Sequence, residues 1–319
     1  MPDISAISGV AASIIAKRTG KTKAQIAKLS SKGNPGNRFP TLFLDTYTGA
    51  VAAYSFRELN SSYTGNCVRV QNDSGTNLDV GFSSGYVDTA AISTHCGTGD
   101  GKIVTWYDQS GNGRDITQSS TSAMPKLFVG GALNNVNSKL AANFDGNDRL
   151  VTGQVNLHSG AWYCTSVIKT GTSIANAQIW NQDDSNSGTR LRIAQYLRTT
   201  SAGGGSARAV MFNTSGQNKA NTTSVSLSTS TQYQISAYTD TSATEIKAFV
   251  NSTNTNAASS YNGTAATGTH EVAMGSNVHG SSPGAFYTGD IQEMIMWATA
   301  QSSNRSTIES EIDTYYSIP

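Results

Sequence analysis

Charge is scarce in this chain: Lys, Arg, Asp and Glu make up 13% of its 319 residues, about half the roughly 25% of an ordinary soluble domain. Cysteine is scarcer still. Cys67, Cys96 and Cys164 are too few and too scattered for a disulfide framework or a zinc site, so free buried thiols are the expectation. The four histidines, His95, His158, His270 and His279, have no Cys, Asp or Glu at ligand spacing, which argues against a histidine-held metal. No apolar run reaches the roughly 18 residues of a membrane-spanning helix. Ile4 to Ala16 is small and apolar, but Asp3 precedes it and lysines follow, the reverse of a signal peptide. Export through a cleaved leader is therefore not expected.

Ser, Thr, Asn and Gly fill the place of the missing charge. These residues make turns and tolerate unusual backbone angles, which fits β architecture with many loops. A hydrophobic share of 37% still supplies a core. The small net charge of +1 is unevenly spread. Residues 1–40 hold seven basic residues against Asp3 alone, a local +6, and the remainder carries −5. A basic arm, residues 1–40, is thus expected ahead of a mildly acidic body, residues 41–319. The arm repeats itself with a period of eleven: Ser8-Gly9-Val10 through Lys17 lines up with Thr19-Gly20-Lys21 through Lys28. Each unit is too short to bury its own apolar face, so it needs a partner. That partner is another protein, or the chain's own body if the units form short amphipathic helices. No aromatic residue is interleaved before Phe39, and no nucleic-acid module follows, so nucleic acid is not expected.

The body reads as strands. Ile103 to Tyr107 is a short apolar run that breaks into the polar loop Asp108-Gln109-Ser110-Gly111-Asn112-Gly113, a strand entering a turn. Leu42-Phe43-Leu44 is expected as a strand, Ala50 to Leu59 as helix or strand, and Thr89 to His95 as one helical turn. Trp162 to Lys169 is apolar on both faces, as in a central strand. From Arg190 to Arg198 the residues alternate, with Leu191, Ile193 and Leu197 inward. Tyr233, Ile235 and Ala237 alternate likewise, as do Ile246, Ala248 and Val250. At the end the period changes: Ile308, Ile312 and Tyr315 or Tyr316 fall at helical spacing, with Ser303 or Ser306 as the cap.

Several blocks also carry a resemblance. Ala53-Tyr54-Ser55-Phe56-Arg57-Glu58-Leu59, Ser62-Tyr63-Thr64-Gly65 and Thr105-Trp106-Tyr107-Asp108-Gln109-Ser110-Gly111-Asn112-Gly113 resemble the opening of the catalytic domain of alpha-L-arabinofuranosidase B. The closing block Gly284 to Trp297 looks like the final strand of the laminin-G and concanavalin-like families. The same opening is similar to that of many phage virion proteins. The resemblance implies an all-β fold: a concanavalin A-like jelly-roll sandwich of two antiparallel sheets, with a short C-terminal helix and an extended or helical N-terminal arm. It also implies an acid/base aspartate in a Gly-Gly-Asp segment, where this chain has Gly275-Ser276-Asn277. The family's adjacent cysteine pair is missing, and no glutamate stands in the matching stretch near Ile179 to Asp184.

These departures set the expectation of a non-enzymatic phage virion protein: a capsid decoration, head fibre or tail-fibre-like element, homo-oligomeric on the particle. The arm units resemble phage docking segments, so Ile7, Val10, Ile14, Ile15, Lys17, Ile26 and Lys28 would anchor it to other virion proteins. Trp180, Asn181, Asp183, Asn277 and His279 would bind a host glycan through one aromatic face and paired amide donors and acceptors. No cofactor is expected. Calcium is the one candidate, because Asp108, Ser110 and Asn112 match the first half of a calcium loop; position twelve is Ser119 rather than a bidentate glutamate. The alternative is a glycoside hydrolase of arabinofuranosidase type. A retaining enzyme of that kind needs two carboxyl groups about 5–5.5 Å apart.

Overall fold

The computed structural model describes residues 41–153, 155–157, 160–183, 193–199, 204–212, 218–240, 244–260, 269–277 and 283–318. Residues 1–40, expected as an arm, and the seven positions expected to anchor it lie outside them, as does His279.

Three α-helices and 23 strands are found among the described residues. In chain order the first half runs α1 (Phe43–Thr46), β1 (Ala50–Ser55), β2 (Val68–Asn72), β3 (Asn77–Val80), β4 (Phe82–Ser83), β5 (Tyr86–Val87), α2 (Thr89–Cys96), β6 (Gly101–Trp106), β7 (Ile116–Thr117), β8 (Lys126–Val129), β9 (Ala132–Leu133), β10 (Asn135–Val136), β11 (Lys139–Leu140), β12 (Ala142–Asp145) and β13 (Leu150–Val151). The second half continues with β14 (Trp162–Thr170), β15 (Ala177–Asp183), β16 (Ile193–Thr199), β17 (Gly205–Phe212), β18 (Asn218–Thr222), β19 (Gln232–Asp240), β20 (Glu245–Val250), β21 (Ser259–Ser260), β22 (Glu271–Met274), β23 (Thr288–Trp297) and α3 (Arg305–Tyr316).

The protein is all-β. Nineteen strands form one antiparallel hydrogen-bonded network that nearly closes on itself, with β4–β5 and β10–β11 as separate hairpins. One run of neighbours is β23–β14–β19–β20–β21, with β1 and β12 sharing the other edge of β23. A second run is β3–β2–β6–β7–β13–β22–β15–β16–β17–β18. Strand β8 pairs with both β6 and β12 and so joins the two runs.

Strand β14 shows why the sequence reads as apolar on both faces. Trp162, Cys164 and Ile168 point into the main core, with Ile235, Met294 and Trp180. Tyr163 and Val167 point the other way, into a second cluster with Phe43, Ile308 and Ile312 under α1 and α3. Each large apolar side chain buried there contributes roughly 1.5–3 kcal/mol.

The segment expected as a strand at Leu42–Leu44 is instead helix α1. Phe43, Leu44 and Tyr47 are all buried, and their spacing is that of one helical face. Helix α2 is longer than a single turn because the Asp88 carboxylate caps it, accepting from Ala91 N at 3.0 Å. At α3 the cap position is Asn304, not Ser303 or Ser306, and it makes no side-chain cap bond.

Helix α3 is held by a buried charge cluster. Glu293, 1% exposed, accepts from Arg57 Nε and Nη2, both at 2.7 Å, from Ser55 Oγ at 2.7 Å and from Tyr316 Oη at 3.1 Å. The Arg57 guanidinium lies over the Tyr315 and Phe43 rings, 4.3 and 4.9 Å from their centroids. A buried carboxylate is tolerated only when satisfied in this way. Glu293 stands on β23, and its partners come from the end of β1 (Ser55), the segment just after it (Arg57) and α3 (Tyr316), so the cluster ties the helix to the sheet. The three cysteines are free and buried; burial pushes the Cys67 and Cys164 thiols well up, which keeps them protonated and inert.

Candidate functional site

Side chains alternate across a strand, so each strand of the second run shows one face to the core and one away from it. On β15, Ala177, Ile179 and Trp180 belong to the main core. A bulge between Gln178 and Trp180 accounts for two adjacent inward residues. Gln178, Asn181 and position 183 therefore lie on the other face. On β16 the core takes Ile193 and Leu197, on β17 Ala207, Ala209 and Met211, and on β22 Val272 and Met274.

Register pairs trace one row across this outer face. Asp79 pairs with Arg69, Arg69 with Thr105, Thr105 with Thr117, Thr117 with Val151 and Val151 with Ala273. Ala273 then pairs with Asn181, Asn181 with Ala194 and Ala194 with Val210. A parallel row sets Gln178 beside Tyr196 and Tyr196 beside Arg208. At the end of β15, Asp183 pairs with Glu271.

Asn181 is fully buried between two fully buried alanines, Ala194 and Ala273. Among the described residues, neither its Oδ1 nor its Nδ2 has a hydrogen-bond partner. Gln178, 7% exposed, leaves its Oε1 unpartnered as well. Arg208 donates from Nη1 to Tyr196 Oη at 2.7 Å, but its buried Nε has no partner. An unmet buried polar group costs about 1–3 kcal/mol. Three side chains of one face, on β15 and on β17 across β16, thus keep polar atoms without a partner among the described residues, suited to a polyhydroxylated ligand.

The positions singled out in the sequence fare differently. Trp180 is fully buried; its indole packs edge-on against Trp162 and its Nε1 donates to Gln195 Oε1 at 2.9 Å. It offers no stacking surface, because the β15 bulge turns it into the core. Asn181 is placed on the outer face. Asp183 is placed there by its backbone, opposite Glu271. Asn277 clasps a loop: its Oδ1 accepts from Gly284 N at 2.7 Å and its N–H donates to Gly284 O at 3.0 Å.

The proposed calcium loop is occupied by the protein itself. Asp108, 1% exposed, accepts from Ala53 N and Ser110 N at 2.9 Å through Oδ1. Its Oδ2 accepts from Ser110 Oγ at 2.7 Å and Arg114 N at 3.0 Å. Asn112 Nδ2 donates to Ala50 O and Ser110 Oγ. With its lone pairs engaged, Asp108 pins the loop to β1. Among the described residues no group of three His, Cys, Asp or Glu could hold a metal. Beside the Gly275–Asn277 turn, burial pushes the Asp148 carboxyl up to about 6, helped by the nearby Asp145 charge; its Oδ2 accepts from Asp145 N at 2.9 Å, a turn-closing role.

Residues 41–178 match the family model described as alpha-L-arabinofuranosidase B, catalytic. Three similar solved structures are arabinofuranosidases, each 18% identical to this chain and each covering 85% of it. One is a variant GH54 enzyme soaked with 4-nitrophenyl α-L-arabinofuranoside, with a TM-score of 0.61. Another is an arabinofuranosidase complexed with arabinofuranosyl-α-1,2-xylobiose, at 0.60. The third is a GH54 enzyme soaked with a cyclic sulfate inhibitor, at 0.59. The chain spans 64% of the length of those structures and shares their fold. No curated protein matches it. These matches overturn the expectation of a non-enzymatic virion protein: nothing in them points to a phage particle, and they favour the glycoside-hydrolase alternative.

Sequence reasoning missed Gln178, Tyr196, Arg208 and Glu271. The signal was present at β16, but misleading. Gln195 is polar, yet it shares the inward parity of Ile193 and Leu197: it is 1% exposed and accepts from Ser166 Oγ at 2.8 Å inside the core.

Proposed function

We propose that the chain is a carbohydrate-active domain of arabinofuranosidase type, a concanavalin-like two-layer jelly roll that removes a terminal arabinofuranosyl unit from a glycan. The family match over residues 41–178 supports the chemistry. The single structural observation that carries the site is Asn181, fully buried with both amide atoms unpartnered.

In this reading Gln178, Asn181 and Arg208 receive the hydroxyls of the terminal sugar, and the small side chains of Ala194 and Ala273 leave room beside the amide. Asn277 is engaged as a loop clasp and cannot transfer a proton, so hydrolysis needs carboxyls elsewhere. Asp183 and Glu271 are the carboxyls we assign. Backbone register sets residue 183 directly opposite Glu271 across β15 and β22, and a retaining glycosidase needs two carboxyls near one another. One forms the glycosyl-enzyme bond while the other protonates the leaving oxygen, then takes a proton from the water that releases the sugar.

The test is release of 4-nitrophenol from 4-nitrophenyl α-L-arabinofuranoside by the full chain. Wild type turns it over, and Asp183→Asn and Glu271→Gln each lower kcat by about 100-fold or more. A folded wild-type protein that releases nothing ends the reading. Turnover that survives both substitutions moves the carboxyl assignment elsewhere.

A further inference from the structure

A cavity of about 540 Å³ opens beside the Asp108 loop, walled by Tyr63, Thr64, Tyr107, Ser110 and Asp115. Resting on the reading of the Asn181 face as a sugar site, we infer that this cavity is a second subsite, which holds a remote unit of a neutral polysaccharide whose terminal sugar occupies the first.

Its two aromatic rings are held from behind. Tyr63 Oη donates to Asn66 O at 2.8 Å, and Tyr107 Oη donates to Asp79 Oδ1 at 2.6 Å. The Tyr63 ring lies across Gly65, where an added Cβ would fall 2.5 Å from the phenol oxygen. Glycine there makes room for the ring. Both phenols are only partly buried, so apolar ring surface faces the opening, and pre-positioned rings bind with little ordering cost.

The charge of the walls selects the ligand. Among the described residues no lysine or arginine lines the cavity, which favours a neutral ligand over an anion. Asp108 is fully engaged, as described. Asp115 accepts from Asp108 N through Oδ1 at 2.9 Å and leaves Oδ2 without a partner among the described residues. One open carboxylate oxygen is too few for a calcium site. Combined with the Thr64 hydroxyl and two ring faces, it suits a sugar, which offers hydroxyl donors and an apolar C–H face.

The position argues for a polymer. Tyr107 lies just past the end of β6 and contacts Asp79, at the end of the outer-face row that also contains Asn181. From Arg69 to Asn181 the row takes five strand pairings, about 24 Å at ~4.8 Å each. Between them stand Thr105, Thr117, Val151 and Ala273, none with a long side chain. A single sugar cannot bridge that span, whereas a chain can.

The experiment uses the full protein, electrophoresed through gels containing soluble arabinoxylan, alongside turnover of 4-nitrophenyl α-L-arabinofuranoside. Tyr63→Ala and the cavity-filling Thr64→Trp should each weaken retention by the polysaccharide about 10-fold and leave turnover of the small glycoside unchanged. Thr64 is exposed, so its substitution does not threaten folding. Retention lost in both variants supports the subsite even if the small glycoside is not hydrolysed, in which case only the catalytic reading falls. Retention unchanged in the Thr64→Trp protein overturns the subsite, whatever the enzyme activity.

Discussion

Replacing Asn181 by leucine should make the free protein more stable while removing its sugar response. Asn181 is fully buried and both amide atoms lack partners. In an ordinary core such a group would be satisfied, because leaving it unmet costs about 1–3 kcal/mol. Leucine keeps the branch at Cγ and has no polar atoms, although it is somewhat larger than the amide beside Ala194 and Ala273. Allowing for that crowding, a net gain of about 1–2 kcal/mol is expected. For a domain of this size that corresponds to a rise of about 2–4 °C in Tm. The assay is thermal unfolding with and without L-arabinose. Wild type should be stabilised by about 2.7 kcal/mol at a sugar concentration of 100 times Kd, and Asn181→Leu should show no shift. A variant that melts lower than wild type yet keeps its sugar-induced shift would refute the argument, because the amide would then be a satisfied structural group.

Three further outcomes follow from the same structure. Arg57→Met strands the Glu293 carboxylate beneath α3 and should cost about 3–5 kcal/mol, while adding Glu293→Met recovers most of it; urea unfolding of wild type, each single variant and the double variant measures the cycle. Burial and the Glu309 charge raise the Asp313 carboxyl to about 6. Because this folded value lies above the unfolded one, Asp313 favours folding below about pH 4, and that contribution is lost as pH rises through 6. Asp313→Asn should therefore stabilise the protein at pH 7 by about 1 kcal/mol, discounted for a half-open position, and flatten the profile of Tm between pH 4 and 7. Asp108→Ala removes the acceptor for three backbone N–H groups and should cost about 3 kcal/mol or more, whereas a chelator should leave the Tm of wild type unchanged, since the protein itself fills the carboxylate.

Much of the scaffold was legible from local pattern. The two-sided apolar run at Trp162–Lys169, the alternation at Tyr233–Ala237 and Ile246–Val250, and the helical spacing of Ile308 and Ile312 each reflect burial with a fixed period, which a sequence carries directly. The turn at Asp108–Gly113 was equally plain, because Asx and Gly residues act on their own backbone. Helix α1 was misread since four residues are too few for a period to show.

The site was far less legible. Whether Trp180 faces the core or solvent depends on the bulge at Gln178–Trp180, one extra residue that shifts everything after it, and no composition rule announces it. The joining of Asn181 to Gln178 and Arg208, and of Asp183 to Glu271, depends on which strands lie side by side and in what register. Residues 183 and 271 are 88 positions apart, and only the antiparallel pairing of β15 with β22 makes them neighbours. The sequence by itself determined the strands, the helix and the polar loops, because those follow from near-neighbour chemistry. The tertiary structure alone decided which polar side chains are left without partners on one face, because partnership is a property of packing between distant segments.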